Sequence, residues 1–290
     1  MHKPVLLNEV IEYLNIKPET KIIDATINGG GHAKGILEKY PDAKILGIEF
    51  DPVIFQEFQR SDLSRKVIAV NDSYTHLKKI VAENDFHPDG IIFDLGLSSW
   101  QLGASGRGFS FQRDEPLDMR FNPDMQKLTA AQIINTYGAQ ELERVIRDYG
   151  EESFAPQIAR MIVVSRKAGP LLTTFQLVEV IRRSVPEWYK HKKINPATKT
   201  FQALRIAVND ELNNVAEGIN AGLDVLNKHG RLAVIAFHGL EDKIVREIFK
   251  ERAKKGDIAW VVKGTIKPKW EEVKNNPRAR SAKMKVVEKL

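Results

Sequence analysis

The chain has 290 residues, which exceeds one average domain but fits a single domain that carries an insertion. Its 42% hydrophobic and 28% charged residues are typical of a folded globular protein and exclude a disordered chain. The absence of cysteine excludes disulfides, thiolate nucleophiles and thiolate metal ligands, and it fits a reducing cytoplasm.

The formal net charge of +6 is concentrated in two segments of the chain. Residues 160–200 carry nine Lys and Arg against two Glu, and residues 263–290 carry nine against three, so the remainder is net negative. Clustered cations on an otherwise acidic chain indicate a surface for a polyanion, because they displace counterions from phosphates. The alternative is that both segments are ordinary solvated faces.

Neither a secretory signal nor a membrane span is predicted. The N-terminal residues lack the apolar core of a signal peptide, and no later stretch approaches the roughly 18 apolar residues that cross a bilayer. We therefore expect a cytoplasmic protein with no membrane partner. Carboxylates are frequent, but no set of them has the spacing typical of a metal site, so we expect no metal.

Short β-branched segments alternate with helical segments in the first hundred residues. They predict strands at 21–26, 44–49, 67–70 and 90–94. Alternation of this kind is typical of a parallel sheet covered by helices, and strands that are apolar on both faces indicate a buried sheet.

The strand pattern stops after Gly96. From 109 to 199 there are only helical periodicities, which predict a helical domain inserted between the fourth and fifth strands of a domain formed by 1–108 and 200–290. Apolar residues then recur at three- and four-residue steps from Phe201 to Leu223 and predict one long amphipathic helix.

Three more strands are predicted at 231–237, 258–262 and 282–287, which brings the sheet to seven. The last strand alternates polar and apolar residues, as a half-exposed edge strand does, and we expect it to pair with its predecessor in antiparallel fashion.

Polar or glycine residues follow three of the central strands, where open parallel sheets bind ligands. The glycines 29–31 after the first strand let a ligand approach the backbone beside a helix N-terminus. Glu49 ends the second strand, where an acid accepts hydrogen bonds from ribose hydroxyls. Asp94 ends the fourth strand, and its alternative role is a helix cap. The spacing of Gly29, Gly31 and Gly35 misses the G-x-G-x-x-G pattern of nicotinamide cofactor sites.

Six blocks of motif residues occur in order along nearly the whole chain. They are Asp24-Ala25-Thr26 with Gly30-Gly31-His32, Phe93-Asp94-Leu95-Gly96-Leu97-Ser98-Ser99, Arg107-Gly108-Phe109-Ser110-Phe111 with Pro116-Leu117-Asp118-Met119-Arg120, Phe201-Gln202-Ala203-Leu204-Arg205-Ile206 with Val208-Asn209 and Glu211-Leu212, Phe237-His238 with Leu240-Glu241-Asp242, and Asn276-Pro277-Arg278-Ala279-Arg280-Ser281-Ala282-Lys283. In these blocks the chain resembles the MraW family of bacterial 16S rRNA (cytosine-N4)-methyltransferases.

The resemblance implies a class I S-adenosylmethionine-dependent methyltransferase, with a Rossmann-like sheet interrupted by a helical domain for RNA recognition. It implies a cytosine in the decoding region of 16S rRNA, within the small ribosomal subunit, as the target. The cofactor contacts that it implies are Gly30, Gly31, His32, Glu49, Tyr74, Asp94 and Gln101. The oligomeric state stays open, a homodimer included.

The chain departs from the family pattern at three positions. Asn28 stands where glycine is usual, Glu49 where aspartate is usual, and Gly239 where serine follows the histidine of the Phe-His block. Asparagine tolerates left-handed backbone angles, and a longer acid still reaches a ribose. The missing serine hydroxyl leaves open whether the base or a water is positioned as in the family.

Asp94 is the candidate catalytic residue, because an acceptor beside the cytosine amine favours its pyramidalisation and later takes the proton. His238 lines the base pocket or bonds a backbone carbonyl. Trp100, Phe109 and Phe111 stack a flipped base or pack in a core. His32 contacts the cofactor or lies on the surface.

The proposed RNA contacts are basic residues of the insertion and of the segment before the last strand. They are Arg182, Arg183, Lys190, Lys192, Lys193, Arg278 and Arg280. Two other classes of protein stay as alternatives, a nicotinamide oxidoreductase with the same sheet and a non-catalytic RNA-binding assembly factor.

Overall fold

The computed structural model describes residues 4–290. The chain divides into two compact units, one formed by the residues up to Gly96 together with Leu212–Leu290, and the other by Leu97–Glu211. We call them the sheet unit and the helical unit. The helical unit extends beyond the expected 109–199 on both sides.

The sheet unit is built on seven strands. They are β1 (Lys21–Asp24), β2 (Lys44–Ile48), β3 (Val67–Val70), β4 (Gly90–Asp94), β5 (Arg231–Ala236), β6 (Ile258–Trp260) and β7 (Lys283–Lys289). Their order is β3-β2-β1-β4-β5-β7-β6, and β7 alone runs antiparallel to its neighbours. The predicted seven-stranded class I methyltransferase fold is thereby confirmed.

Helices cover both faces of this sheet. They are α1 (Leu7–Tyr13), α2 (Gly31–Lys39), α3 (Pro52–Gln59), α4 (Leu77–Glu83), α12 (Glu211–Val225), α13 (Gly239–Lys254) and α14 (Trp270–Asn275). Successive strand residues alternate between two cores, since Ile22 packs with Ile36 of α2 on one face while Ile23 packs with Leu223 of α12 on the other. Burial on both faces explains why the strands read as continuous apolar runs.

The strand register brings the carboxyl ends of the central strands to one edge. Asp24 pairs with Gly47 on one side and Ile92 on the other, and Asp94 pairs with Ile235 of β5. The order reverses between β1 and β4, which is the switch point where such sheets bind ligands.

The expectation that the last strand lies at the sheet edge is wrong. β7 lies between β5 and β6 and pairs with both. The alternation that suggested an exposed face arises because Lys285 is buried and forms an ion pair with Asp242 of α13. A paired lysine inside the fold has the same sequence signature as a solvated one.

The helical unit has seven helices and a core of its own. They are α5 (Ser99–Gly103), α6 (Ala130–Thr136), α7 (Ala139–Gly150), α8 (Ala155–Ser165), α9 (Thr174–Ser184), α10 (Glu187–Lys190) and α11 (Ala197–Asn209). Its residues, all described, include no strand beyond an isolated bridge between Pro116 and Thr173. Within residues 4–290, no helix is long and apolar enough to cross a bilayer.

The single long helix expected from Phe201 to Leu223 is also wrong. The chain forms α11 and α12, and Asp210 between them has a left-handed φ of 49°. Asn209 Nδ2 donates to the carbonyl oxygen of Arg205 at 2.8 Å, and the Arg205 guanidinium binds both carboxylate oxygens of Glu211. The apolar spacing continues across this break, so periodicity alone does not reveal it.

Candidate active site

A tight turn joins β1 to α2 and contains the three predicted glycines. Gly30 has a φ of 74° and is the residue that precedes α2. A Cβ at Gly30 would lie 2.5 Å from Leu63 Cδ2 and 2.8 Å from Phe58 Cε2, so the position requires glycine. Apart from Gly29 itself and its two chain neighbours, no residue of 4–290 has a heavy atom within 4 Å of a Cβ built at Gly29. The turn therefore presents open backbone on which a ligand can lie.

Asn28, one of the departures from the family pattern, adopts the left-handed conformation in this turn. Its φ is 48°, and its Nδ2 donates to the carbonyl oxygen of Thr26 at 2.9 Å. Asparagine is among the few residues with a Cβ that visit this region readily. The substitution is therefore compatible with the turn.

Three carboxylates lie at the carboxyl ends of β1, β2 and β4, and each has a raised pKa. Burial raises the pKa of Asp24 to about 6 and that of Glu49 to about 8. Burial, together with the nearby Glu241 carboxylate, raises the pKa of Asp94 to about 7. Charged carboxylates in low-dielectric surroundings call for a donor or a positive charge, which a ligand can supply.

Asp94 is the carboxylate that most clearly lacks a hydrogen-bond donor. Its side chain is 11% exposed, and its Oδ1 is buried with no hydrogen-bond partner among residues 4–290. Its backbone N–H donates to Thr26 Oγ1 at 2.8 Å, which ties β4 to the turn after β1. The alternative role of Asp94 as a helix cap is wrong, because Ser98 caps the following helix α5.

His32 is buried beside Asp94, so its alternative as a surface residue is wrong. Its Nε2 donates to the carbonyl oxygen of Val5 at 2.9 Å, and its Nδ1 lies 3.6 Å from Asp94 Oδ2. A carbonyl only accepts, so the proton of the neutral ring is on Nε2. Burial lowers the pKa of His32 and keeps the ring neutral.

Glu49, at the end of β2, is held by one backbone donor and one side-chain donor. Its Oε1 accepts from the N–H of Asp51 at 2.8 Å, and its carbonyl oxygen accepts from Asn71 Nδ2 at 2.7 Å. Asp51 in turn caps α3 by accepting from the N–H of Val53 at 3.1 Å. The acid is therefore fixed at the position where ribose hydroxyls are recognised in such sheets.

The two other predicted cofactor contacts have structural roles of their own. The ring of Tyr74 packs edge-on against Phe93 at 5.5 Å and against Gly218, where a Cβ would lie 2.4 Å from its Cδ2. Gln101, in the helical unit, forms a capping box with Ser98. Their contacts with a cofactor stay predictions.

His238 is the N-cap of α13 and does not bond a backbone carbonyl. Its Nδ1 accepts from the N–H of Glu241 at 3.4 Å, and the Glu241 carboxylate accepts from the N–H of Phe237 at 2.8 Å. His238 Nε2 lies 3.0 Å from Glu241 Oε1, but the two are misaligned, and Nε2 is buried with no hydrogen-bond partner within residues 4–290. Gly239 leaves this capping box intact.

The aromatic candidates lie in the helical unit and are mostly packed. Phe109 is buried and stacks on Phe121 at 5.6 Å, while Phe111 meets Phe201 edge-on at 5.2 Å. Trp100 is half-buried, with the Arg107 guanidinium 5.0 Å from its ring centroid. Packing is therefore the observed role of the two phenylalanines.

The structure brings four of the predicted RNA contacts together. Arg182, Lys190, Lys192 and Lys193 line one cavity in the helical unit. Arg183, the next residue of α9, instead pairs with Glu179 at 2.7 Å. In the sheet unit, two more of the predicted contacts are exposed on the 3₁₀ turn Pro277–Ser281, namely Arg278 and Arg280.

Sequence reasoning did not single out Asp24 as a titratable residue of the site. It ends β1 as Asp94 ends β4, and burial, together with the nearby Asp94 carboxylate, raises its pKa. The signal was available, because the rule that selected Glu49 and Asp94 applies equally to the last residue of the first strand.

The whole chain, residues 1–290, matches the model of the MraW methylase family. The chain belongs to this family. Proteins named ribosomal RNA small subunit methyltransferase H are similar to it over its full length. That of Fervidobacterium nodosum is 44% identical over 294 residues, with 97% of that protein covered. That of Persephonella marina is 42% identical over 292 residues, with 99% covered.

Membership in the MraW family confirms the expected enzyme class, an S-adenosylmethionine-dependent methyltransferase. The nicotinamide oxidoreductase and the non-catalytic assembly factor were wrong alternatives. The residues at the strand ends fit such a donor, since the glycine turn is open at Gly29 and Asp94 Oδ1 lacks a partner within residues 4–290.

Proposed function

We propose that this chain methylates the exocyclic N4 amine of a cytosine in the decoding region of 16S rRNA. The names of the curated relatives support the small-subunit RNA as substrate. The observation that carries the choice of an amine is the unpartnered Oδ1 of Asp94, a buried acceptor at the crest of the sheet. An amino group is the donor that such an oxygen needs.

The glycine turn and the acids at the strand ends would hold S-adenosylmethionine, which supplies a methyl group already activated on a sulfonium. Gly31 and His32 would offer backbone N–H groups at the start of α2. The N–H of Gly30 donates to the carbonyl oxygen of Ile27 at 2.7 Å, so Gly30 would contribute a backbone that the donor can approach closely. Glu49 would accept from the ribose hydroxyls, and Tyr74 and Gln101 complete the proposed set of contacts. Alignment of the amine with the methyl group is the main task of these residues.

Asp94 would act on the cytosine amine as acceptor. When ionised, it accepts a hydrogen bond from the amine, which favours a pyramidal nitrogen, and it takes up a proton after transfer. A carboxylate with a pKa of about 7 is matched to both tasks at neutral pH.

His238 would orient the base. Its Nδ1 accepts from Glu241, so the neutral ring carries its proton on the unpartnered Nε2. That N–H would donate to an acceptor on the cytosine. Gly239 supplies no hydroxyl here, so orientation rests on the imidazole.

The helical insertion, expected at 109–199, would recognise the RNA. The proposed phosphate contacts are Arg182, Arg183, Lys192, Lys193, Arg278 and Arg280. We infer that the chain acts in the cytoplasm, where bacterial subunits assemble. A homodimer stays a prediction that analytical ultracentrifugation tests.

Methyl transfer from labelled S-adenosylmethionine to small-subunit RNA tests the function. We expect N4-methylcytidine in the digested RNA by mass spectrometry, and its formation at least about 10²-fold slower with Asp94→Asn. Calorimetry with S-adenosylmethionine serves as the control for donor binding. A wild-type chain that binds the donor but leaves both naked RNA and small subunits unlabelled would overturn the proposal.

A further inference from the structure

A cavity of about 270 Å³ on the helical unit has a mainly cationic lining. Its lining residues are Arg182, Lys190, Lys192, Lys193, Asn195 and Pro196. Arg182 lies in the last turn of α9, while the others lie at the end of α10 and in the segment that follows. We call this cavity the cation pocket.

The positive charge of the cation pocket is largely uncompensated. Lys190 pairs with Glu187 at 2.8 Å, and Glu187 also lies 3.2 Å from His191. Within residues 4–290, no carboxylate lies within ion-pair distance of the other three cations, which are Arg182, Lys192 and Lys193. Like charges that face one cavity repel each other, and a bound anion removes this repulsion.

Lys192 links the cation pocket to an exposed aromatic ring. Its Nζ lies 4.8 Å from the ring centroid of Trp188 and 4.9 Å from that of Tyr189. Tyr189 is buried and donates from its hydroxyl to Glu152 Oε2 at 2.8 Å, which fixes the Tyr189 ring beside that of Trp188. Trp188 is 60% exposed. A cation therefore lies beside an aromatic surface that is open to solvent.

We propose that the cation pocket binds a backbone phosphate of single-stranded RNA while Trp188 stacks an adjacent unpaired base. Cations that track the backbone next to exposed aromatic rings are the usual means of binding single strands. A duplex keeps its bases stacked on each other and offers none to Trp188. The proposal rests on the proposed function, because it takes RNA as the substrate.

Two triple variants that remove the same number of charges test whether the cation pocket binds a phosphate. One is Arg182→Gln/Lys192→Gln/Lys193→Gln, and the control is Lys127→Gln/Arg160→Gln/Lys167→Gln, at exposed positions of the same unit away from the cavity. Fluorescence anisotropy measures binding of a short labelled single-stranded oligouridine at several salt concentrations. We expect the pocket variant to bind about tenfold more weakly, with a salt slope smaller by about 1–2. Equal losses of affinity in the two triple variants would overturn the proposal that the cation pocket binds the phosphate.

Variants of the tryptophan test the stacking. We expect Trp188→Ala to weaken oligouridine binding about tenfold and Trp188→Phe to restore most of it, with duplex RNA binding unchanged in both. Because Trp188 also contacts Phe154 and Tyr189, thermal melts check that the unit stays folded. Loss of duplex binding to the same extent would contradict base stacking.

A free anion is the competing occupant of the cation pocket. Calorimetry with inorganic pyrophosphate distinguishes a free anion from an RNA phosphate as the occupant. Our proposal predicts that pyrophosphate competes only weakly with RNA for the cation pocket. Tight pyrophosphate binding that the pocket triple abolishes, without loss of RNA affinity, would assign the cavity to a small anion. Methyl transfer by the wild-type chain is measured separately. If the wild-type chain methylates RNA normally and the pocket variant binds RNA as tightly as the wild type, the proposed role of the cation pocket is refuted while the proposed function stands.

Discussion

His32 Nδ1 lies 3.6 Å from Asp94 Oδ2, too far for a hydrogen bond, while the opposite ring nitrogen donates to Val5. The neutral ring therefore turns a lone pair toward the carboxylate. This arrangement gives the ionised Asp94 no partner from His32, which agrees with a pKa raised to about 7. The carboxylate is left free to accept from a substrate amine.

The rate of methyl transfer should rise with pH through about 7, because Asp94 must be ionised to accept from the amine. We expect Asp94→Asn to lower the single-turnover rate by about 10²–10⁴ and to remove this rise. Rates measured from about pH 5.5 to pH 9 with labelled donor check it, with donor affinity as the control. An unchanged pH profile in the variant would remove Asp94 from the chemistry.

Glu49→Gln should weaken binding of the methyl donor, and it should stabilise the donor-free protein at high pH. Burial raises the pKa of Glu49 from 4.5 to about 8, so the folded state binds more protons than the unfolded state between these values. Stability is therefore lost as the pH rises through that window, and glutamine avoids the loss. At about pH 9 we expect a gain in thermal melts, with an upper limit of about 5 kcal/mol. Calorimetry should show about tenfold weaker binding, which a loss of one ribose contact explains.

Gly30→Ala and Gly29→Ala should differ in stability. At Gly30 a Cβ would clash with Leu63 and Phe58 in a left-handed backbone conformation, whereas at Gly29 it would meet open space. We expect a loss of about 1–3 kcal/mol for the first and less than about 0.5 kcal/mol for the second, by urea unfolding. Equal stabilities would mean that the turn relaxes around the methyl group. Weakened donor binding in the well-folded Gly29→Ala variant would support the turn as the cofactor cradle.

Asp242→Ala should destabilise the sheet unit more than Lys285→Met. The first leaves a buried lysine without its partner, at a cost of about 3–5 kcal/mol. The second places an apolar side chain in β7 and leaves Asp242 with Lys283, 3.5 Å away. Urea unfolding of the two variants measures the difference. If both cost the same small amount, Lys285 is solvated rather than paired.

The sequence predicted the elements whose signals are local. The first four strands and β5 read as apolar runs, and an acid ends or follows three of them, namely Asp24 at β1, Glu49 at β2 and Asp94 at β4. The rule that ligands bind at strand ends selected Glu49 and Asp94 as candidate site residues. Family motifs then identified the class of enzyme.

What it could not predict depends on contacts between distant residues. β7 lies inside the sheet because its backbone pairs with β5 and β6, and the buried lysine that made it resemble an edge strand pairs with Asp242. The break at Asp210 depends on side chains that bond back to the chain. Likewise, no spacing rule reveals that Arg182 converges with the residues after α10 while its neighbour Arg183 does not.

The position of β7 also governs the order in which the sheet can assemble. β5 pairs with β7 on its outer side, and β6 joins the sheet only through β7. Until Lys283–Lys289 has been synthesised, the outer edge of β5 has its backbone groups unpaired and β6 has no strand to join. The nascent protein therefore completes its sheet late and from non-local contacts, which makes that open edge the place where a chaperone or a second chain would attach first.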